Sequence, residues 1–328
     1  MNILLELKKR FSPHGRYRLS MNRLKQVKRN YPDDPVVQKA ISVVRKKMYC
    51  IPTPNTFREL RNSLMDLYTK NYRESNDIWL LNGISFHFNG SNNYTWLFIY
   101  EYIDIVLSDS YLRKKLEQAG KQNSSSIADV ISAIPEEGPY QYHKVFLNEG
   151  DVIIDAGANV GMFSLFAAKY YNCRCHAFEP SRVVIPTLEE NIQTNMLENN
   201  ITVYPVGLSD KTDEVTFTIN HDNIGASTFI RTISTENIET ETINCVSLDS
   251  WADENHISKI DFIKADIEGA ERLLLKGATN VLKKMQPKLS ICTYHLPDDK
   301  QVLEKIIKDA NPNYIVIHAY DKLYAYVP

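Results

Sequence analysis

The feature that most constrains this chain is the run Asp151-Val-Ile-Ile-Asp155-Ala-Gly157-Ala-Asn159-Val-Gly161-Met-Phe163. Val152 to Asp155 is a short apolar stretch of the length of a strand buried on both faces. From Val160 to Tyr170, apolar side chains recur at Val160, Phe163, Ala167 and Tyr170, the spacing of a helix packed on one face. Between the two, Gly157 and Gly161 let the backbone turn tightly and approach a ligand, while the helix start offers N–H groups and a partial positive charge. A strand, a glycine hinge and a helix in that order predict a nucleotide-type pocket in an α/β fold.

The spacing separates two kinds of pocket. A dinucleotide fingerprint starting at Gly157 needs glycines at 159 and 162, where this chain has Asn159 and Met162. Asp155, Gly157, Ala158, Asn159 and Gly161 instead fit the acidic-glycine loop of S-adenosylmethionine enzymes, with Asp155 expected to face the ammonium of the methionine moiety. A second strand, Cys175-His-Ala-Phe, ends in Glu179, 24 residues after Asp155. That is close to the offset at which an acid holds ribose hydroxyls, so Glu179 is the expected ribose clamp. Pro180 and Ser181 are expected to open the next helix, proline by its fixed φ and serine as a cap.

Taken together, Asp155-Ala-Gly-Ala-Asn-Val-Gly161, Phe178-Glu-Pro180, Val206-Gly-Leu-Ser-Asp210, Ser247-Leu-Asp-Ser-Trp251 and Ile260-Asp-Phe-Ile-Lys-Ala-Asp266-Ile-Glu268-Gly-Ala-Glu271 resemble the FkbM-type S-adenosylmethionine-dependent methyltransferases over about residues 140 to 296. The resemblance implies a Rossmann-like class I methyltransferase, doubly wound on a mostly parallel seven-stranded sheet, and O-methylation, often of sugar or polyketide hydroxyls. It also implies that Asp210, after a third strand at Ile201 to Val206, contacts the adenine.

The remaining strands place the chemistry. Ile260 to Ala265 reads as a fourth strand ending at Asp266-Ile-Glu268, and Pro287 to His295 as a fifth. Ligands of an open parallel sheet bind at the carboxyl ends of its strands, so Asp155, Glu179, Asp266 and His295 are expected to converge. Methyl transfer to an oxygen requires a collinear approach and loss of the hydroxyl proton. His295 is the first candidate base because an imidazole titrates near neutrality; Asp266 and Glu268 are candidates to orient the acceptor or to act as base themselves. No metal is expected, since Asp266 and Glu268 have no third ligand at a convincing spacing. Tyr140, Tyr142 and His143 precede the first strand and are expected at the pocket mouth. Between strands at Glu214 to Asn220 and Thr240 to Val246, the loop His221 to Phe229 is expected to govern acceptor choice. A helix from Asp298 to Ala310, a strand at Tyr314 to His318 and an antiparallel edge strand at Leu323 to Val327 complete the sheet.

At 328 residues the chain accommodates this domain, placed at 126–328, and a mostly helical accessory region at 1–125, with a polar junction at Gln122 to Ser126. Asn82-Gly83 between two apolar runs predicts a hairpin, and the apolar stretch Tyr94 to Leu107 a buried helix. Residues 1–50 hold 13 Lys or Arg against 3 Asp or Glu, a net of +10, leaving −12 on residues 51–328 within the total of −2. So basic an arm suits an anionic membrane surface, a charged glycan or an acidic patch on a sister subunit. No stacking motif or zinc finger accompanies the charge, so nucleic acid is not an expected partner. No apolar run reaches membrane-span length and the N-terminus lacks a signal-peptide pattern, so the expected location is cytoplasmic, with peripheral membrane contact through the arm. The five cysteines form no metal-like set and are expected to be reduced thiols. The competing readings are a catalytically silent cofactor-binding or interaction module and, more distantly, a nicotinamide-dependent dehydrogenase.

Overall fold

The computed structural model describes residues 74–75, 78–81, 84–87, 140–221, 224–230 and 237–328. The basic arm, the helices expected before residue 73, the Tyr94 to Leu107 helix, the junction at Gln122 to Ser126 and Cys50 lie outside the described residues. Short strands β1 (Glu74–Ser75), β2 (Ile78–Leu81) and β3 (Ile84–His87) come first, the last two bracketing Asn82-Gly83. The catalytic body then alternates strand and helix: β4 (Val152–Ala156), α1 (Met162–Tyr171), β5 (Arg174–Phe178), α2 (Ile185–Thr194) and β6 (Ile201–Tyr204). An insertion of β7 (Gly207–Ser209), β8 (Asp213–Asn220) and β9 (Ile238–Ser247) follows. The chain continues through α3 (Leu248–Glu254), β10 (Phe262–Ala265), α4 (Glu271–Lys276), α5 (Thr279–Lys284), β11 (Lys288–Cys292), α6 (Asp299–Ala310), β12 (Ile315–Ala319) and β13 (Lys322–Tyr326).

Seven strands form one sheet in the order β12-β13-β11-β10-β4-β5-β6. The pairs from β11 to β6 are parallel, and β13 runs antiparallel to both its neighbours. This is the Rossmann-like methyltransferase arrangement expected from the sequence, with one correction. The last strand lies inside the sheet, between β11 and β12, and β12 is the edge. All five of its residues, Lys322 to Tyr326, are buried accordingly.

The chain winds outward from β4 to β6, then returns to lay β10 on the other side of β4. That reversal opens a crevice at the carboxyl ends of β4 and β10, where a doubly wound sheet binds ligands. Strand alternation sorts the faces. Ile154, Ala156, Ile263 and Ala265 share a core with Trp251 of α3, Leu274 and Leu275 of α4, Leu282 of α5, and Leu303 and Ile307 of α6. The opposite face, carrying Asp155, Phe262 and Lys264, is covered by α1, whose Phe163 ring lies 5.7 Å from that of Phe262.

Two helix connections depend on side chains far away in sequence. Asn191 of α2 and Asn195, which ends that helix, lie four apart and so on one face, and bond the backbone of β3: Asn195 Oδ1 accepts from Ser85 N at 2.9 Å, and Asn195 Nδ2 donates to Ser85 O at 2.7 Å. Asn191 makes the same two contacts with His87 and also donates to Val160 O at 2.9 Å. Asp249 of α3 accepts from Asn280 N and Val281 N at 2.8 and 2.9 Å and thereby caps α5, which has no local side-chain cap.

Candidate active site

The loop after β4 is built around a buried lysine. Lys264 sits opposite Asp155 in the β10–β4 register, so both side chains leave the same face. Its Nζ lies 3.0 Å from Asp155 Oδ1 and donates to Gly157 O at 2.7 Å, with the lysine side chain 2% and the aspartate 0% exposed. Ser164 Oγ of α1 donates to Asp155 Oδ2 at 2.7 Å. The cation that a buried strand-end aspartate requires is therefore Lys264, a protein side chain, and Asp155 acts on the glycine loop through it. The sequence signal for Lys264 was a charge inside an otherwise apolar strand.

Gly157 has φ +72°, and a Cβ there would come within 2.1 Å of Asp266 O. Only glycine lets this loop lie against the loop after β10. Glu179, past the end of β5, accepts from Asn159 N and Ser181 N at 2.9 Å each, which ties the β4 and β5 loops together. Burial pushes its carboxyl up; the two backbone N–H bonds and the charge of Lys264 oppose this without cancelling it. Beside these amides, Asn159 Oδ1 and Ser181 Oγ are shut off from solvent and have no hydrogen-bond partner among the described residues. Ser181 does not cap α2 with its side chain; that helix begins at Ile185 after a turn in which Val184 N and Ile185 N donate to Ser181 O. Ala158 N donates to Phe178 O, and Gly161, at φ 90°, precedes α1; Pro180 lies between Glu179 and Ser181. Asp210 is exposed, its carboxylate accepts from Ser209 Oγ at 3.3 Å, and its backbone lies against Gly277.

Across the crevice, Asp266 accepts from Tyr140 OH at Oδ2 and from Tyr294 OH at Oδ1, both at 3.0 Å. Burial works to raise its carboxyl, yet the nearby charges of His295, Lys264 and Lys322 and the Tyr140 bond outweigh it and hold the group below the usual carboxylate range. His295 lies three residues beyond the end of β11, in a loop and not in the strand expected for it. Its Nε2 is 3.5 Å from both Asp266 Oδ1 and Glu268 Oε1, and its Nδ1 is 2.9 Å from Glu271 Oε1. These distances set the buried imidazole among three carboxylates, Nδ1 toward Glu271 and Nε2 toward Asp266 and Glu268.

Glu271 is the functional group that sequence reasoning passed over, although it stands in the same motif as Asp266 and Glu268. Fully buried, it also accepts from Ile267 N at 2.8 Å and Gly269 N at 3.1 Å. These bonds hold Glu268 at φ 55° and Gly269 at φ 107°, a left-handed pair that is costly for glutamate. Thr228, from the insertion, donates through Oγ1 to Glu268 O at 3.0 Å. Of the residues expected at the mouth, Tyr140 reaches Asp266, whereas Tyr142 and His143 pack against the rings of Tyr324 and Tyr326.

Residues 155–320 match the family model described as the methyltransferase FkbM domain. Among curated proteins, the chain is 27% identical over 182 residues to the hexuronic acid methyltransferase AglP of Haloferax volcanii, spanning 56% of this chain and 68% of that one. It is 28% identical over 167 residues to the 31-O-demethyl-FK506 methyltransferase FkbM of Streptomyces tacrolimicus, spanning 42% and 63%. Among solved structures, a methyltransferase FkbM from Methylobacillus flagellatus KT is similar with a TM-score of 0.45 and 20% identity, covering 72% of this chain and 59% of that one.

Proposed function

Because the chain belongs to the FkbM methyltransferase family, we propose that it moves a methyl group from S-adenosylmethionine to a hydroxyl oxygen of a sugar, a glycan or a comparable small molecule. The observation that carries the cofactor reading is the pair of orphaned polar atoms, Asn159 Oδ1 and Ser181 Oγ, on either side of Glu179. Buried polar atoms without partners are costly, and hydroxyls of a bound ribose would satisfy both once the β4 and β5 loops part to admit them. Glu179, Asn159 and Ser181 would hold the nucleoside, with Asp155, Gly157, Ala158, Gly161 and Pro180 shaping the loops around it. The group that S-adenosylmethionine supplies when bound is a methyl on a positively charged sulfur.

Asp266, Glu268 and His295 form the opposite wall, where the acceptor hydroxyl is oriented and loses its proton. Thr228 ties the insertion to Glu268, which supports a part for that loop in acceptor choice. Sugar acceptors are favoured by the similarity to a hexuronic acid methyltransferase.

Calorimetry of the full chain against S-adenosylmethionine, S-adenosylhomocysteine and NAD tests the cofactor. Binding of the first two is expected, and tight binding of NAD alone overturns the reading. A labelled-methyl screen over uronic-acid sugars and other hydroxylated acceptors tests the product. Label that survives mild alkali is an ether and supports hydroxyl methylation, whereas label released as methanol marks an ester and overturns it. His295→Ala is expected to keep cofactor affinity and lose turnover at least about a hundredfold.

A further inference from the structure

We propose that Asp266, Glu268 and His295 hold a divalent first-row metal cation, to which the acceptor hydroxyl binds. The purpose of such a cation rests on the methyl-transfer reading; its binding does not.

One imidazole nitrogen and two carboxylate oxygens, all within 4.8 Å of one another, are brought together from two different strand ends. Nε2 stands 3.5 Å from each oxygen. That is long for a charge-assisted hydrogen bond, but with metal–ligand bonds of about 2.1 Å, neighbouring ligands lie about 3.0 to 3.5 Å apart; the widest separation among the three atoms, up to 4.8 Å, must close by about 1 Å as the two partly exposed carboxylates draw in around a cation. The third ligand that the spacing of Asp266 and Glu268 lacked in sequence is thus the histidine after β11.

The surroundings have the form that orients metal ligands. Glu271 lies 2.9 Å from Nδ1, which leaves Nε2 on the side of the two acids. Tyr140 and Tyr294 fix the Asp266 carboxylate. Glu271 and Thr228 hold the left-handed backbone that aims Glu268.

Exposure decides between a cation and direct proton abstraction by the imidazole. The His295 side chain is 1% exposed, while those of Asp266 and Glu268 are each 18% exposed. A hydroxyl approaching from solvent meets the carboxylates first. A cation seated against Nε2 presents its open positions on that outer side. There it lowers the pKa of the coordinated hydroxyl, the O–H proton passes to water, and the oxygen keeps the electron pair. As that oxygen bonds to the methyl carbon, the carbon–sulfur bond breaks and its electron pair stays on sulfur as a neutral thioether. A mixed nitrogen and carboxylate set suits Mn²⁺, Fe²⁺ or Zn²⁺ better than Mg²⁺.

The test uses chelator-treated full-length protein and Mn²⁺, without cofactor or acceptor. Electron paramagnetic resonance is expected to show loss of the free Mn²⁺ signal at one equivalent and a nitrogen coupling from the imidazole. Asp266→Asn and Glu268→Gln are each expected to weaken binding at least tenfold, and Glu271→Gln about ten- to hundredfold. Glu304→Gln, on α6, should leave it unchanged. An unaltered Mn²⁺ signal with wild-type protein, or bound Mn²⁺ without nitrogen coupling, overturns the proposal even if the variants fail to fold. S-adenosylmethionine binding without Mn²⁺ binding removes the cation alone. Mn²⁺ binding without S-adenosylmethionine binding removes the methyl-transfer reading alone.

Discussion

Lys264 and Asp155 form a buried pair whose partners are unequal in consequence. Removing only the lysine leaves a carboxylate at 0% exposure without its cation. Lys264→Met is expected to cost about 3–5 kcal/mol in urea unfolding, and adding Asp155→Leu should recover most of it. A double variant no more stable than Lys264→Met would show that the pair is not the source of the loss. Gly157 belongs to the same scale. A methyl group there would collide with a main-chain oxygen at 2.1 Å, which no rotamer change relieves. Gly157→Ala is expected to lower S-adenosylmethionine affinity more than about tenfold and stability by about 2–4 kcal/mol, read by calorimetry and thermal melting.

Among the elements, α5 owes its start to α3. Asp249 supplies both acceptors for the first N–H groups of a six-residue helix. Asp249→Ala should destabilise the protein by about 1 kcal/mol in urea titration, and Asp249→Asn by less. The link between α2 and β3 is expected to appear in hydrogen exchange: Asn195→Ala should speed exchange of the Ser85 amide, and unchanged protection would show that this bond adds nothing. Neither link was readable from local pattern. Asp249 and the α2 asparagines look like ordinary polar residues until their distant partners are in place. The helical and strand periods did identify the strands of the main sheet, the two longer insertion strands, and α1, α2 and α6, with boundaries shifted by a few residues where backbone bonding ended sooner, as at His295; β7 and the short helices α3, α4 and α5 were not read from period.

For the molecule as a whole, one contribution to acid stability comes from His176. Packed against Trp251 at a ring distance of 4.9 Å, it is pushed down to about 4 from 6.5 by burial first and the charge of Arg174 second. Folded protein keeps this imidazole neutral while the unfolded chain takes a proton below pH 6.5. Its contribution is therefore fully present above pH 6.5 and is lost as pH falls toward 4, by up to about 3 kcal/mol. His176→Phe should flatten the melting temperature over that window, and an unchanged slope would exclude His176 as the cause. The four cysteines of the described residues are buried and form no disulfide there; Cys173 is pushed up to about 12 and Cys245 to about 11, chiefly by burial, so native protein should resist alkylation at these two positions. No helix among the described residues is long and apolar enough to cross a membrane.

By itself the sequence determined the strand–loop–helix order and the acids at the strand ends, because hydrophobic period and glycine spacing are local properties of the chain; the seven-stranded class came from its family resemblance. What faces those acids was decided only by the tertiary structure. Register set Lys264 beside Asp155, and sheet order brought Glu271, Glu268 and His295 together across separate strands. A charge's partner depends on which distant residue shares its face, and that information arises only when the strands pair.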